Sequence, residues 1–369
     1  MSPCLTESKI QPPKSKIDIA PGLKSLRQRL FSISPEEATF ARRGFQGRNA
    51  KTQERLEQVG RIFLQGYNAA IAHNHPESLI PQLNAIEAEW RGFAFEGAAM
   101  GLALLDYLTP WKQNRIPSFL AGAGADHAYM VYVGIGWLLA RIPFGVQRYL
   151  QRGGFMQVIG ESQNWLVKPA PRQSQIQNLK SEIPNLKSID PLLGWLAIDG
   201  YGFHQGYFHW HRYVEKQAIP SRFSDYALRV FDQGLGRSLW FVKGGDVRRI
   251  AATVGGFHPR RQADLWSGIG LACTYAGGAD FFGLEMLQTA AGSDWPHLAQ
   301  GAAFAAKARL RANNLTLHTK IACQVLCGMS AETAAEITDI ALQNLPTDAA
   351  LPAYEIWRQR IQEQFSCLV

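Results

Sequence analysis

Glu96 stands alone among apolar and small residues. Between Arg91 and Asp106 the chain reads GFAFEGAAMGLALL, and nothing else in that stretch ionises. A carboxylate buried in such surroundings must find a partner or be held neutral, because an unpaired buried charge is costly. Burial disfavours its ionised form and raises its pKa, which suits it to proton transfer near neutral pH. The same pattern returns in DGYGFHQGYFHWH (199–211), where Gly200, Tyr201 and Phe203 stand as Gly92, Phe93 and Phe95 stood. There His204 takes the place of Glu96, a shift of 108 residues. A shift of 110 lays His127 on Arg237. Glu96, His204 and His127 are thus candidate proton-handling groups, with Arg237 to offset charge. Phe93, Phe95, Tyr201, Phe203 and Trp240 are candidate walls of an aromatic substrate cavity, and aromatic faces also stabilise cationic centres.

Each residue has a structural reading beside the chemical one. Glu96 could form a buried ion pair with Arg91, Arg141 or Arg237. Asp126 and His127 could be a proton-handling pair or a helix cap. His204, His209 and His211 are the one histidine cluster, but a metal needs three or four convergent ligands, so pocket or packing histidines are the expectation and no metal site is assigned. The cofactor is left unknown. The phosphate-loop, nucleophile-elbow and zinc-helix signatures are missing, and AGAGAD (121–126) lacks the third glycine of a dinucleotide or flavin fingerprint. The aspartate-rich motifs of ordinary terpene cyclases are absent too.

These residues must be positioned by helices. Ser34-Pro35-Glu36-Glu37 predicts a helix start, with Ser34 as cap and Glu37 completing a capping box. Leu56, Val59, Phe63, Tyr67 and Ala70 fall at helical spacing over 51–72, as do Tyr354, Trp357, Ile361 and Phe365 near the end. Ala128–Ala140 is apolar throughout but too short to cross a bilayer, so it predicts a buried core helix. Further helices are expected near 188–213, 222–234, 244–252, 261–276, 279–290, 296–312, 315–327 and 330–344. The expected fold is mainly α, a globular multi-helix architecture of packed Gly/Ala-rich helices. Residues 1–22 read as a disordered tail and 23–369 as one helical domain. Its two halves, about 23–150 and 190–369, could be pseudo-duplicated around a loop-rich connection at 151–189, with a short strand near 155–159 or 165–167.

Composition bounds the class. The chain is 46% hydrophobic and 18% charged over 369 residues, enough for a substantial core. Its net charge of +8 is spread in pairs such as Arg42/Arg43 and Arg260/Arg261, with no nucleic-acid module, so nucleic acid is not an expected partner. No transmembrane segment is expected, although peripheral membrane contact stays open. The five cysteines lack C-x-x-C spacing; Cys323 and Cys327 read as core residues, and a reducing, cytoplasmic setting is expected.

Seven blocks carry a resemblance: LFSISPEEATFARRGF (30–45), RGFAFEGAAMGLALLD (91–106), HAYMVYVGIGWLLAR (127–141), DPLLGWLAIDGYGFHQGYF (190–208), FDQGLGRSLWFVKGGDV (231–247), LWSGIGLACTYAGG (265–278) and GAAFAAKAR (301–309). On these the chain resembles a bacterial family of unknown-function domains that includes the UnbL proteins of enediyne biosynthetic clusters. The resemblance implies specialised metabolism beside pathways that process a hydrophobic polyene from a polyketide synthase. It supplies no catalytic residues. Three functions are therefore expected, in this order: an enzyme isomerising or cyclising an apolar polyene-like intermediate by acid/base chemistry; a non-catalytic binding or assembly protein contacting other pathway proteins; and a noncanonical terpenoid-type cyclase. The expected ligand is a hydrophobic small molecule.

Overall fold

The computed structural model describes residues 21–109, 111, 114–152, 190–221, 223–346 and 349–367. Among them are seventeen α-helices and no strand. In chain order they are α1 (Pro21–Phe31), α2 (Phe40–Arg43), α3 (Ala50–Ala72), α4 (Pro76–Asn84), α5 (Ala88–Leu108), α6 (Arg115–Ala121), α7 (Ala128–Leu139), α8 (Gly145–Arg152) and α9 (Trp195–Phe208). There follow α10 (Asp225–Val242), α11 (Val247–Gly255), α12 (Pro259–Ala276), α13 (Phe281–Ala291), α14 (Trp295–Arg311), α15 (Leu317–Leu326), α16 (Ala331–Leu342) and α17 (Ala353–Ser366). The mainly-α expectation holds, and the helices match the sequence periodicity closely. The expected tail lies outside the described residues up to residue 20, as does the connection from 153 to 189 with its suggested strand.

Two local expectations are corrected. Pro35–Ala38 is a short 3-10 turn capped by Ser34, but Glu37 does not close a capping box. Its carboxylate is drawn instead to Arg42 and Arg43. The helix expected at 222–234 runs on to Val242 through Gly234 and Gly236. Glycine lowers helix propensity by about 1 kcal/mol, but here close packing against both neighbours outweighs that.

Glycine contacts organise the molecule. α3, α5, α7, α9, α10, α12 and α14 lie side by side in one row. A Cβ on Gly97, Gly134, Gly200, Gly234, Gly268 or Gly301 would overlap a backbone carbonyl of the preceding helix in the row, at Phe63, Glu96, Val133, Asp199, Gln233 and Ser267 respectively. Two residues on, Gly136, Gly202, Gly236 and Gly270 make the same approach to the following helix. Two residues turn a helix by about 200°, so the paired glycines face opposite neighbours. Gly202 lies against Phe231, and Gly206 against Leu235 and Ser238, so α9 and α10 run parallel. Short helices return the chain between such partners, α11 between α10 and α12, and α13 between α12 and α14.

This register differs from the shifts of 108 and 110 residues read from the sequence. It equates Glu96 with Asp199 rather than His204, and Trp137 with Arg237, because what recurs is the small residue beneath a carbonyl. In the row α7 packs directly on α9, and the connection at 153–189 lies between those two helices in the chain.

The row curls. Phe93 of α5 meets Tyr275 of α12, with ring centroids 5.1 Å apart. Arg55 of α3 donates to the Ala276 carbonyl at 2.6 Å, and Arg309 of α14 to the Glu89 carbonyl at 2.8 Å. On the concave side, the residue before the first glycine position and the residue three after it lie one turn apart. These are Glu96 and Met100, Val133 and Trp137, Asp199 and Phe203, Gln233 and Arg237, and Ser267 and Leu271. At the closed end α17 fills the concavity with Tyr354, Trp357 and Arg358.

Candidate functional site

What α17 leaves unfilled is a cavity in the curl. Its walls are Val59, Phe63, Leu64, Phe93, Met100, Trp137, Phe203, Tyr207, Phe208, Phe241, Leu271 and Ala272, with Glu96, Arg237 and Tyr275 in its depth. Six of the row's repeated concave positions thus meet here: Glu96, Met100, Trp137, Phe203, Arg237 and Leu271. The space is about 710 Å³ counting its open end, but the centre of a water molecule can sweep only about 50 Å³ of it. It is a narrow, largely apolar slot. A second chamber of about 420 Å³ adjoins it, lined by Met130, Val133, Leu196, Phe304, Ala308 and Trp357. Arg237, Leu271 and Tyr275 line both chambers and form the partition between them.

The polar groups of the depth are poorly satisfied. Glu96 Oε1, Arg237 Nε, Tyr275 Oη and Trp137 Nε1 make no hydrogen bond of good geometry, although their residues are only 2%, 4%, 3% and 6% exposed. Trp137 approaches Glu96, and Asn314 approaches Tyr275, without closing one. Buried polar groups are nearly always paired, so four poorly satisfied groups along one cavity single it out as the candidate site. Three are donors, and the fourth is a carboxyl that donates or accepts according to its protonation.

Electrostatics sharpen this. Burial pushes the Glu96 carboxyl up to about 7, with Asp199 adding to the rise, while Arg237 and the nearby Trp137 N–H pull it down. No ion pair engages Glu96 among the described residues, because Arg237 pairs with Asp199. Burial works against the Arg237 charge, but the Asp199 and Glu96 carboxyls hold its pKa above the ordinary arginine value. Glu96 is left as the one carboxyl of the cavity depth poised between its two forms near neutral pH.

The other sequence candidates are distributed around this slot. Phe93 and Phe203 line it, with Arg237 over the Phe203 ring at 4.7 Å. His204 does not line it. Its ring stands behind Trp137 at 5.5 Å, and its Nε2 accepts from Arg141 Nε at 3.3 Å. Burial, then the Arg141 charge, hold it well below the usual histidine range, so it is neutral. His127 and Phe95 pack away from the slot, rings stacked 4.1 Å apart, and burial lowers His127 to about 4. His127 occupies the N-cap position of α7, but its side chain makes no capping bond. Tyr201 packs on Phe223 and Phe231, and Trp240 donates to the Gly277 carbonyl at 2.9 Å; neither lines the slot.

The histidines of 204–211 diverge because α9 ends at Phe208. His209 is exposed and His211 bonds Glu215 at 2.7 Å. Cys323 and Cys327 are buried free thiols. No helix is long and apolar enough to cross a membrane among the described residues.

Sequence reasoning missed Tyr275, and it read Trp137 only as core. A signal for Trp137 existed. GIGW (134–137), GYGF (200–203), GLGR (234–237) and GIGL (268–271) each end on a side chain facing the slot, and the last three recur every 34 residues. Comparison with curated proteins and with solved structures returned no match. A family model matches residues 22–365, nearly the whole length, and the chain belongs to that family, described as "Protein of unknown function (DUF1702)".

Proposed function

We propose that this protein is an enzyme that isomerises or cyclises an apolar, polyene-like intermediate by acid/base chemistry, with Glu96 moving the proton. The observation that carries the reading is Glu96 itself, a buried carboxyl without an ion pair, pushed up to about 7 in an aromatic slot. In the isomerase form, the Glu96 carboxylate takes a proton from a carbon conjugated to a ligand oxygen. The electron pair shifts through the conjugated system onto that oxygen. Arg237 Nε–H, Tyr275 O–H and Trp137 N–H are the donors available to stabilise it, in a site where such donors act strongly. Glu96 then returns its proton to another carbon, so a double bond moves and no atom is gained or lost. In the cyclase form the protonated Glu96 carboxyl instead gives its proton to one end of the conjugated system. A neighbouring double bond attacks the resulting cation to close a ring, and an adjacent carbon returns a proton to the Glu96 carboxylate, so the product is an isomer of the substrate. The resemblance to the family that includes the UnbL proteins, read from the seven sequence blocks, is what supports a setting in specialised metabolism, of the enediyne or a related polyene type.

A strain carrying Glu96→Gln in place of the native gene tests this. Its metabolites should match those of a strain lacking the gene, while the purified variant unfolds cooperatively like the native protein. Full restoration of the native product by Glu96→Gln would remove Glu96 from the mechanism. That outcome would favour the second reading, a binding or assembly protein. It has its own support in a surface on α13 and α15, where Phe282 and Leu317 are 73% and 74% exposed.

A further inference from the structure

The slot contains two arginines, and they differ in one respect. Arg237, in the depth, is neutralised by Asp199. Arg141 follows the C-terminus of α7 and reaches solvent with Ile33, Glu37 and Phe208, the residues that mark the open end. No ion pair engages Arg141 among the described residues. Its guanidinium is fixed by donation to His204 Nε2 at 3.3 Å and lies over the Phe208 ring at 5.3 Å. Arg43 covers the same ring at 4.9 Å. Glu37, the carboxylate at the mouth, is already bracketed by Arg42 and Arg43. Three permanent cations therefore stand around one carboxylate at the rim of an apolar slot.

We infer that the ligand is amphipathic, an apolar chain carrying an anionic head, carboxylate or phosphate, that pairs with Arg141 at the mouth while the chain lies inward past Trp137 toward Glu96. A neutral ligand seated in the mouth would strip water from Arg141 and give nothing back, whereas an anion gains a charge-assisted pair there. The opposite orientation is disfavoured, since a second anion in the depth would meet Asp199 and Glu96. His204 becomes a positioning residue: its unprotonated Nε2 holds the guanidinium across the mouth. The inference rests on reading the slot as a ligand site, but it does not require turnover.

The test is binding to the full-length protein, read by quenching of tryptophan fluorescence and confirmed by native mass spectrometry. The probes are myristate against its methyl ester, and farnesyl diphosphate against farnesol. At least one anion should bind about tenfold or more tightly than its neutral counterpart, and the favoured pair tells carboxylate from phosphate. Arg141→Gln should abolish the preference and Arg141→Lys should keep part of it. Added salt should weaken binding of the anion more than that of the neutral probe. Equal affinities within both pairs, no binding by either anion, or a preference that survives Arg141→Gln would overturn the inference. Glu96→Gln should leave the preference intact, so a loss of turnover alone leaves this assignment standing.

Discussion

At the scale of the residue, Glu96 sets stability against function, and the sign of the conflict can be worked out. Unfolded, its carboxyl titrates near 4.5; folded, near 7. Below 4.5 both states are protonated and ionisation contributes nothing. Between the two values the unfolded chain ionises while the folded one does not, so stability falls as pH rises. Above about 7 the loss is complete, on the order of 3 kcal/mol at ~1.4 kcal/mol per pH unit. Glu96→Gln should remove this dependence, so urea unfolding should show the variant gaining on the native protein between pH 5 and pH 8. A stability difference constant across that range would contradict the assignment. Glu96 was legible in the sequence because an ionisable residue stands out in apolar text. Tyr275 was not, since only the curl of the row brings α12 against α5.

At the scale of the element, helix identity is governed by what the neighbours allow. The periodicity of 51–72 and 353–366 was plain, because one apolar face alternates with a polar one. α7 and α9 are buried on almost every side and show little periodicity, so their extent could be read but their orientation could not. Their partners are set by glycines beneath carbonyls, where small side chains permit close approach and weak Cα–H···O contacts. Gly234→Ala would drive a methyl into the Asp199 carbonyl, with no flexible side chain to yield. It should cost about 3 kcal/mol or more, the upper end of overpacking. Gly255→Ala, at the end of α11, has nothing within 4 Å of the added methyl and should be neutral or stabilising by up to about 1 kcal/mol. Thermal unfolding of the two variants would compare them directly, and equal effects would refute the close-packing account.

At the scale of the whole molecule, the curl is held by a buried polar network at its closed end. Arg358 of α17 donates to Glu355 and Asp264, both at 2.8 Å, and Arg229 donates to the same two carboxylates at 2.8 and 2.9 Å. Ser267, Gln300 and Gln362 extend it between α12, α14 and α17. Burial raises the cost of leaving any member unpaired. Arg358→Met should therefore destabilise by about 3–5 kcal/mol and expose the α17 segment to proteases before the rest of the chain. Loss of less than about 1 kcal/mol, or uniform cleavage, would show that α17 does not clamp the row. This network could not be foreseen, because its bonds join residues far apart in sequence, Asp264 to Arg358 across 94 residues and Arg229 to Glu355 across still more.

The repeated register has a consequence for comparing members of this family. Contacts that hold neighbouring helices together run through backbone carbonyls and small residues, whereas the chemistry of the slot is written at Glu96, Trp137, Phe203, Arg237 and Leu271, one turn or less from those contacts. Scaffold and inscription are thus separate alphabets on the same helices. If the slot is a ligand site as proposed, a relative would change what it binds by altering a few letters of the second while leaving the first untouched. Those few positions, rather than overall identity, should sort the family by ligand.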